Sequence, residues 1–112
     1  DDSNYTFAGI DLINNIYSIE ETSDGILNQS SEIKLINTGT KKNNSYSLNS
    51  IAKSTSSAGD NIAINLGTEI YFINTKGWLK KKYVAEEEIR NIIVSDRIAA
   101  IVFRDKVEIL VL

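Results

Sequence analysis

Cysteine, histidine, methionine and proline are all absent from these 112 residues, and tryptophan occurs once. Without cysteine there is no disulfide framework, no thiolate-bound zinc and no thiol nucleophile. Without histidine the usual catalytic triad and the commonest zinc ligand are excluded. No run approaches the ~18 apolar residues of a membrane helix, and no signal peptide is visible. Positive charge is also scarce: 12 Lys and Arg against 15 Asp and Glu leave a net charge of −3. Apart from Lys80–Lys82 the basic residues are scattered, so no face can neutralise phosphates. Nucleic acid and anionic membrane are therefore excluded as partners of this segment.

What is present is a globular composition, 42% hydrophobic and 24% charged, in a length suited to one domain. The absence of Met and the start at Asp1-Asp2 lead us to read the chain as a piece excised from a longer one. Abundant Ile, Asn, Lys and Ser fit an AT-rich bacterial genome, and the lack of Cys agrees with the outside of a Gram-positive cell.

The chain repeats itself. Glu32-Ile33-Lys34-Leu35-Ile36-Asn37-Thr38 matches Glu69-Ile70-Tyr71-Phe72-Ile73-Asn74-Thr75, 37 positions later, and Lys106-Val107-Glu108-Ile109-Leu110 is a weaker copy 37 further on. Asp24-Gly25-Ile26, Asp60-Asn61-Ile62 and Asp96-Arg97-Ile98 form a second anchor at a spacing of 36, and Tyr46 and Tyr83 are again 37 apart. Alternating Ile and Val alone would be generic strand patterning. The shared Glu-Ile-x-x-Ile-Asn-Thr string exceeds it.

Within each period, β-branched and aromatic runs alternate with turn residues. Asn61–Leu66, Glu69–Ile73, Trp78–Val84 and Ile89–Val94 read as four strands, with Asn74-Thr75-Lys76-Gly77 as a turn. Ile33–Ile36 and Tyr46–Ile51 read as strands, and Gly39–Ser45 and Ser54–Gly59 as polar loops. Tyr5–Leu12 and Ile16–Glu20 precede them. Ile98–Phe103, a hairpin at Arg104-Asp105, and Val107–Leu112 end the chain. Turn residues every seven to ten positions leave no room for long helices.

Four antiparallel strands in roughly 40 residues are the signature of a β-propeller blade. The expected fold is all-β: antiparallel four-stranded blades, with a half-blade over 1–23, blades over 24–59 and 60–96, and a half-blade over 97–112. A β-sandwich of the same strands is the alternative. Rings hold about four to eight blades. Three blades therefore imply a longer chain, or two chains forming a six-bladed ring. In that ring the N-terminal strands of one chain complete the last half-blade of the other. Val107–Leu112, apolar and β-prone, would otherwise be an aggregating edge.

Ile73-Asn74-Thr75-Lys76-Gly77-Trp78 resembles the turn that closes each blade of quinoprotein-type repeats. More closely, Asp60–Leu112 resembles the C-terminal region of an uncharacterised family of clostridial WD-repeat or quinoprotein-like propeller proteins. The residues carrying this are Asn65-Leu66-Gly67-Thr68-Glu69-Ile70, Asn74-Thr75-Lys76-Gly77-Trp78, Ser95-Asp96-Arg97-Ile98 and Phe103-Arg104-Asp105-Lys106. The resemblance implies a propeller fold and an extracytoplasmic, membrane-anchored location for the full-length protein, with no assigned activity. The family's anchor helix is absent from this sequence.

Candidate residues each have a plainer reading. Lys80–Lys82 could bind a phosphate or an acidic polymer, but fits better as an exposed strand facing Glu86–Glu88 across a hairpin. Three consecutive glutamates do not converge on one cation, and a calcium loop needs alternating ligands with a glycine. Asp24, Asp60 and Asp96 recur, which favours bonding to backbone amides of turns over catalysis. Trp78 reads as a packing residue rather than a sugar platform, and Arg104 and Asp105 as a hairpin tip. Asn4, Asn28 and Asn43 begin glycosylation sequons, which are expected by chance in an Asn- and Ser-rich bacterial chain. No acid pair is spaced for glycoside hydrolysis and no Gly-rich phosphate loop occurs. Propeller enzymes use tyrosines on the ring face, so Tyr17, Tyr46, Tyr71 and Tyr83 keep that option, although strand tyrosines usually pack. The sequence thus points to a non-catalytic interaction or scaffold module without cofactor or metal. Part of a quinoprotein-like or carbohydrate-active propeller enzyme is the alternative.

Overall fold

The computed structural model describes the backbone of residues 2–10, 15–23 and 29–112, and the side chains of 29–112. The described residues form strands and turns without helix. The strands are β1 (Asp2–Ile10), β2 (Asn15–Ser23), β3 (Gln29–Asn37), β4 (Asn43–Leu48), β5 (Ser54–Ala58) and β6 (Asn61–Asn65). They continue as β7 (Glu69–Ile73), β8 (Leu79–Val84), β9 (Asn91–Val94), β10 (Ile98–Val102) and β11 (Val107–Val111).

Three antiparallel sheets result: β1-β2-β3-β4, β5-β6-β7-β8 and β9-β10-β11. Among the described residues none closes into a barrel or ring. The first strands lie side by side, β5 touching both β1 and β9, so the sheets fan outward from them. The outer strands are then β4, β8 and β11.

The expected strands are found, with β4 running over Asn43–Leu48 where Tyr46–Ile51 was expected, so that it takes in the end of the expected Gly39–Ser45 loop; their grouping differs. Residues 54–84 form one sheet, whereas the sequence pattern placed Ile89–Val94 with the strands before it. The reason lies in residues 85–90. After β8 the chain folds over the end of its own sheet, where the Ala85 and Ile89 amides donate to Thr68 O and Gly67 O, both at 2.8 Å. Arg90 N then donates to Val102 O, and the chain enters the third sheet. No hairpin joins β8 to β9. Ser54–Gly59, expected as a loop, is largely β5. Its small Ser and Thr side chains suit a strand pressed between neighbouring sheets, and its backbone is satisfied by β6. β1 and β2 belong to the first sheet, so within the chain they do not complete the third.

Two apolar layers hold the sheets together. Ile33, Leu35 and Leu48 of the first sheet pack on Ile62, Ile64 and Ile73 of the second. Ala63, Ile70 and Phe72 on the opposite face meet Ile92, Val94, Ala99 and Ile101 of the third. β6 is buried along its whole length because both of its faces are covered. Buried polar groups are paired: Ser31 Oγ donates to Ser50 O at 2.7 Å and accepts from Ala52 N at 3.1 Å, and Asn65 Oδ1 accepts from Gly67 N at 2.8 Å.

Candidate functional surface

The turns along one end of the sheets are tied by the recurrent acidic and amide residues. Gly59, with φ +57°, and Asp60 turn β5 into β6. Asp60 Oδ1 accepts from Thr75 N at 2.9 Å and from Thr75 Oγ1, bridging to the β7–β8 turn. The fully buried Asn61 donates through Nδ2 to Ser95 O and Asp96 O, at 3.1 and 3.0 Å, and its Oδ1 accepts from Lys80 Nζ. The Asp96 turn also sits against Gly59, where an added Cβ would lie 3.3 Å from that of Asp96. Asp60 and Asp96 thus stand in equivalent turns, between the first and second strands of their sheets. Asp24 and Asn28 lie outside the described residues, as do the side chains of Asn4 and Tyr17.

The other anchors fall in matching strands. Glu32 is in β3, Glu69 opens β7 and Lys106 precedes β11, in each case the third strand of its sheet. Tyr46 and Tyr83 are both in fourth strands, β4 and β8. In the expected Asn74–Gly77 turn, Asn74 Oδ1 accepts from the amides of Lys76 and Trp78 at 2.9 and 3.0 Å, and Gly77 has φ +83°. Phe103 N donates to Lys106 O across the Arg104-Asp105 hairpin.

The three lysines of β8 do not act together. Lys80 binds Asn61, Lys81 Nζ donates to Val111 O at 3.0 Å, and Lys82 Nζ lies 4.7 Å from the centre of the Tyr71 ring. They face β7, not Glu86–Glu88, because those glutamates lie in the crossover to the third sheet; Lys81 pairs with Phe72 and Lys82 with Tyr71. Glu88 instead lies 3.7 Å from Lys53. Trp78 is 64% exposed with Lys76 over its ring, so it does not pack between sheets as the sequence suggested.

Tyr46 and Tyr71 meet edge to face at 6.4 Å between the first two sheets. Burial pushes the Tyr46 hydroxyl up from its ordinary value, with Tyr71 adding to the rise and Lys82 opposing it. Tyr83 donates to Glu108 Oε2 at 2.5 Å, joining β8 to β11. Its pKa is raised to about 12, first by burial and then by the hydrogen bond and charge of Glu108. Glu108 is lowered, first by the Tyr83 hydrogen bond and then by Lys106. These residues line a groove of about 340 Å³ together with Glu86, Glu87 and Phe103. A second groove of about 350 Å³ lies over β3 and β4, lined by Glu32, Lys34 and Asn43–Ser45. Among the described residues no cluster of acidic side chains is arranged to hold a metal ion.

The least expected surface is the outward face of the third sheet. Ile93, Ile98, Val107, Ile109 and Val111 are 42–68% exposed there. Cross-strand pairing of Ile93 with Ala100, Ala100 with Ile109, and Ile98 with Val111 makes the patch continuous. Alternating apolar residues at Val107, Ile109 and Val111 carried the signal. Sequence alone did not show that this face would lie uncovered while Leu110 packs inward.

A scan against protein-family models finds no match for the chain, and a search of curated proteins finds none either.

Proposed function

We propose that the chain is a non-catalytic interaction or scaffold module built from β-propeller blades, in which each sheet is one blade and β1, β5 and β9 are the inner strands. The observation that carries this is the uncovered apolar face of the third sheet. The chain already stacks its sheets through two layers of the same kind, so this face is suited to receive one more. The candidate chemical residues support the reading too, since Asp60, Asn61, Lys80, Lys81 and Tyr83 are engaged in ties between turns, strands or sheets.

The sheet that covers the face comes from a second copy of the chain, giving six blades in all, or from the remaining blades of a longer chain. The resemblance of Asp60–Leu112 to clostridial propeller proteins supports a reading in which the module lies outside the cytoplasm of a bacterium, in a full-length protein anchored to its membrane.

Sedimentation of the 112-residue chain tests the second-copy form. Twice the chain mass is expected, reverting to a single mass in Ile93→Lys. A single mass for the unaltered chain overturns that form. Saturable binding of a sugar or metal at the grooves, followed by turnover, overturns the non-catalytic reading.

A further inference from the structure

We propose that the rim where the β7–β8 turn meets β4 binds an acidic saccharide, one whose rings carry carboxylates, with Trp78 as its stacking platform. The inference names a ligand class for the interaction module and rests on that reading.

The single tryptophan of the chain is 64% exposed. An indole outside any core is an amphipathic plate, apolar on its faces with one N–H donor at its edge. It stands on a built turn. Asn74 Oδ1 accepts from the amides of Lys76 and Trp78, and Gly77 between them lies against the backbone of Ser45. Lys76 Nζ, 5.2 Å from the ring centre, brings a cation to the platform. A platform fixed in advance spares its ligand the cost of ordering it.

The strand beside the platform supplies unengaged polar groups. Asn43, Asn44 and Ser45 are exposed, and among the described residues no side-chain bond holds them. Asn44 shares a face of β4 with Tyr46 and Leu48, toward the second sheet, while Asn43 and Ser45 take the other face. Amides and a hydroxyl are therefore offered on both sides of the Gly77 contact. Each Asn presents an acceptor and two donors, a set that suits the hydroxyls of a sugar.

The fold also gathers charge that the sequence scatters. Asn37 Oδ1 accepts from the amides of Gly39 and Thr40, both at 2.9 Å, and shapes the β3–β4 turn that carries Lys41 and Lys42. Lys42 is three residues from Ser45, about 10 Å along an extended chain, a span that a short saccharide bridges. The ion pairs among the described residues engage Lys34, Lys53 and Lys106. Lys41, Lys42 and Lys76 are exposed and lack a carboxylate partner there. Asp60, the acid tied to the β7–β8 turn, is bonded to Thr75. Three lysines fall short of the row that a nucleic-acid backbone requires, but they match carboxylates spaced one to a ring.

An acidic peptide is the less suited ligand. Peptides are recognised through an open strand edge or through apolar pockets. At Ser45 the edge of β4 already meets Gly77, and the residues beside Trp78 are amides, a hydroxyl and lysines.

Because Trp78 is the only tryptophan, its fluorescence reports this rim directly. The 112-residue chain is titrated with an oligomer of a uronic acid, the neutral hexose counterpart, and an oligoglutamate of equal charge. A saturable change is expected with the uronate, about tenfold tighter than with either control, together with protection of Trp78 from acrylamide quenching. Lys76→Gln weakens binding about tenfold, and Lys53→Gln, at the opposite end of the sheets, leaves it unchanged. By calorimetry Trp78→Ala abolishes binding and Trp78→Phe restores part of it, with urea midpoints unchanged. No saturable binding, equal binding of the three oligomers, binding that leaves Trp78 open to quenching, or binding indifferent to both Trp78→Ala and Lys76→Gln overturns the proposal. Cleavage of the bound uronate overturns the non-catalytic reading and leaves the site standing, so the two readings fail separately.

Discussion

Gly77, in the β7–β8 turn, lies directly against the backbone of Ser45 in β4: a Cβ built on it would stand 2.7 Å from the Ser45 carbonyl oxygen. The turn of the second sheet is thereby seated on the outer strand of the first. Gly77 also has φ +83°, which side-chain-bearing residues rarely adopt.

Gly77→Ala is therefore expected to destabilise the fold by about 1–3 kcal/mol from backbone strain alone. The clash adds to this, since the atom in the way is backbone. Gly39→Ala is the control. Its Cβ would lie 3.3 Å from the Asn37 side-chain oxygen, without a positive φ, and a smaller loss is expected. Urea denaturation of both variants decides it.

Among the described residues Phe72 is the largest fully buried side chain, and it sits in the layer between the second and third sheets. Phe72→Ala should cost about 3–5 kcal/mol, with little relaxation available between two sheets. Ile93→Ala, on the uncovered face, should change stability by no more than about 0.5 kcal/mol at concentrations where the chain is single. Equal losses in the two variants would mean that the face is already covered in solution.

Asn61 links the second sheet to the β9–β10 turn through two carbonyl acceptors. Asn61→Ala leaves these acceptors and Lys80 without that partner, and a loss of about 1–3 kcal/mol is expected. Faster amide exchange should appear at Ile98, whose neighbouring turn the amide holds. An unchanged exchange rate there would assign Asn61 to local packing only.

Tyr83 sets an alkaline limit. Its folded pKa of about 12 exceeds the ordinary value of 10.0, so the folded chain holds its proton more tightly than the unfolded one. The associated stability is fully present below pH 10 and is lost as pH rises toward 12. Denaturation midpoints should fall across that window, and Tyr83→Phe should flatten the fall. Glu108 works in the opposite sense. Its lowered pKa gives stability that is present above 4.5 and lost as the pH falls through the folded value.

Strand positions were legible because β-branched runs and turn residues alternate cleanly, as at Glu69–Ile73 and Asn74–Gly77. Their grouping was less so. A hairpin and a crossover can be equally short, and nothing local in Glu86–Glu88 shows that the chain there leaves one sheet for another. β5 was hidden because Ser and Thr usually mark loops; its strand character comes from β6 and from the sheets beside it, which are distant information. The surface residues followed the same division. The Asn74 turn could be read from its own residues, while the partners of Lys80–Lys82 depended on the fold.

The second sheet, through its middle strands β6 and β7, gives little of either face to water, whereas its outer strand β8 is open. Its two sides are the floor of one core and the ceiling of the other, and among the described residues no strand of the first sheet touches a strand of the third. Among the described residues the outer sheets communicate only through this shared slab. Loss of either outer sheet would leave an intact pair, but melting the central one releases both neighbours at once. The most slowly exchanging amides of the molecule should therefore be those of β6 and β7.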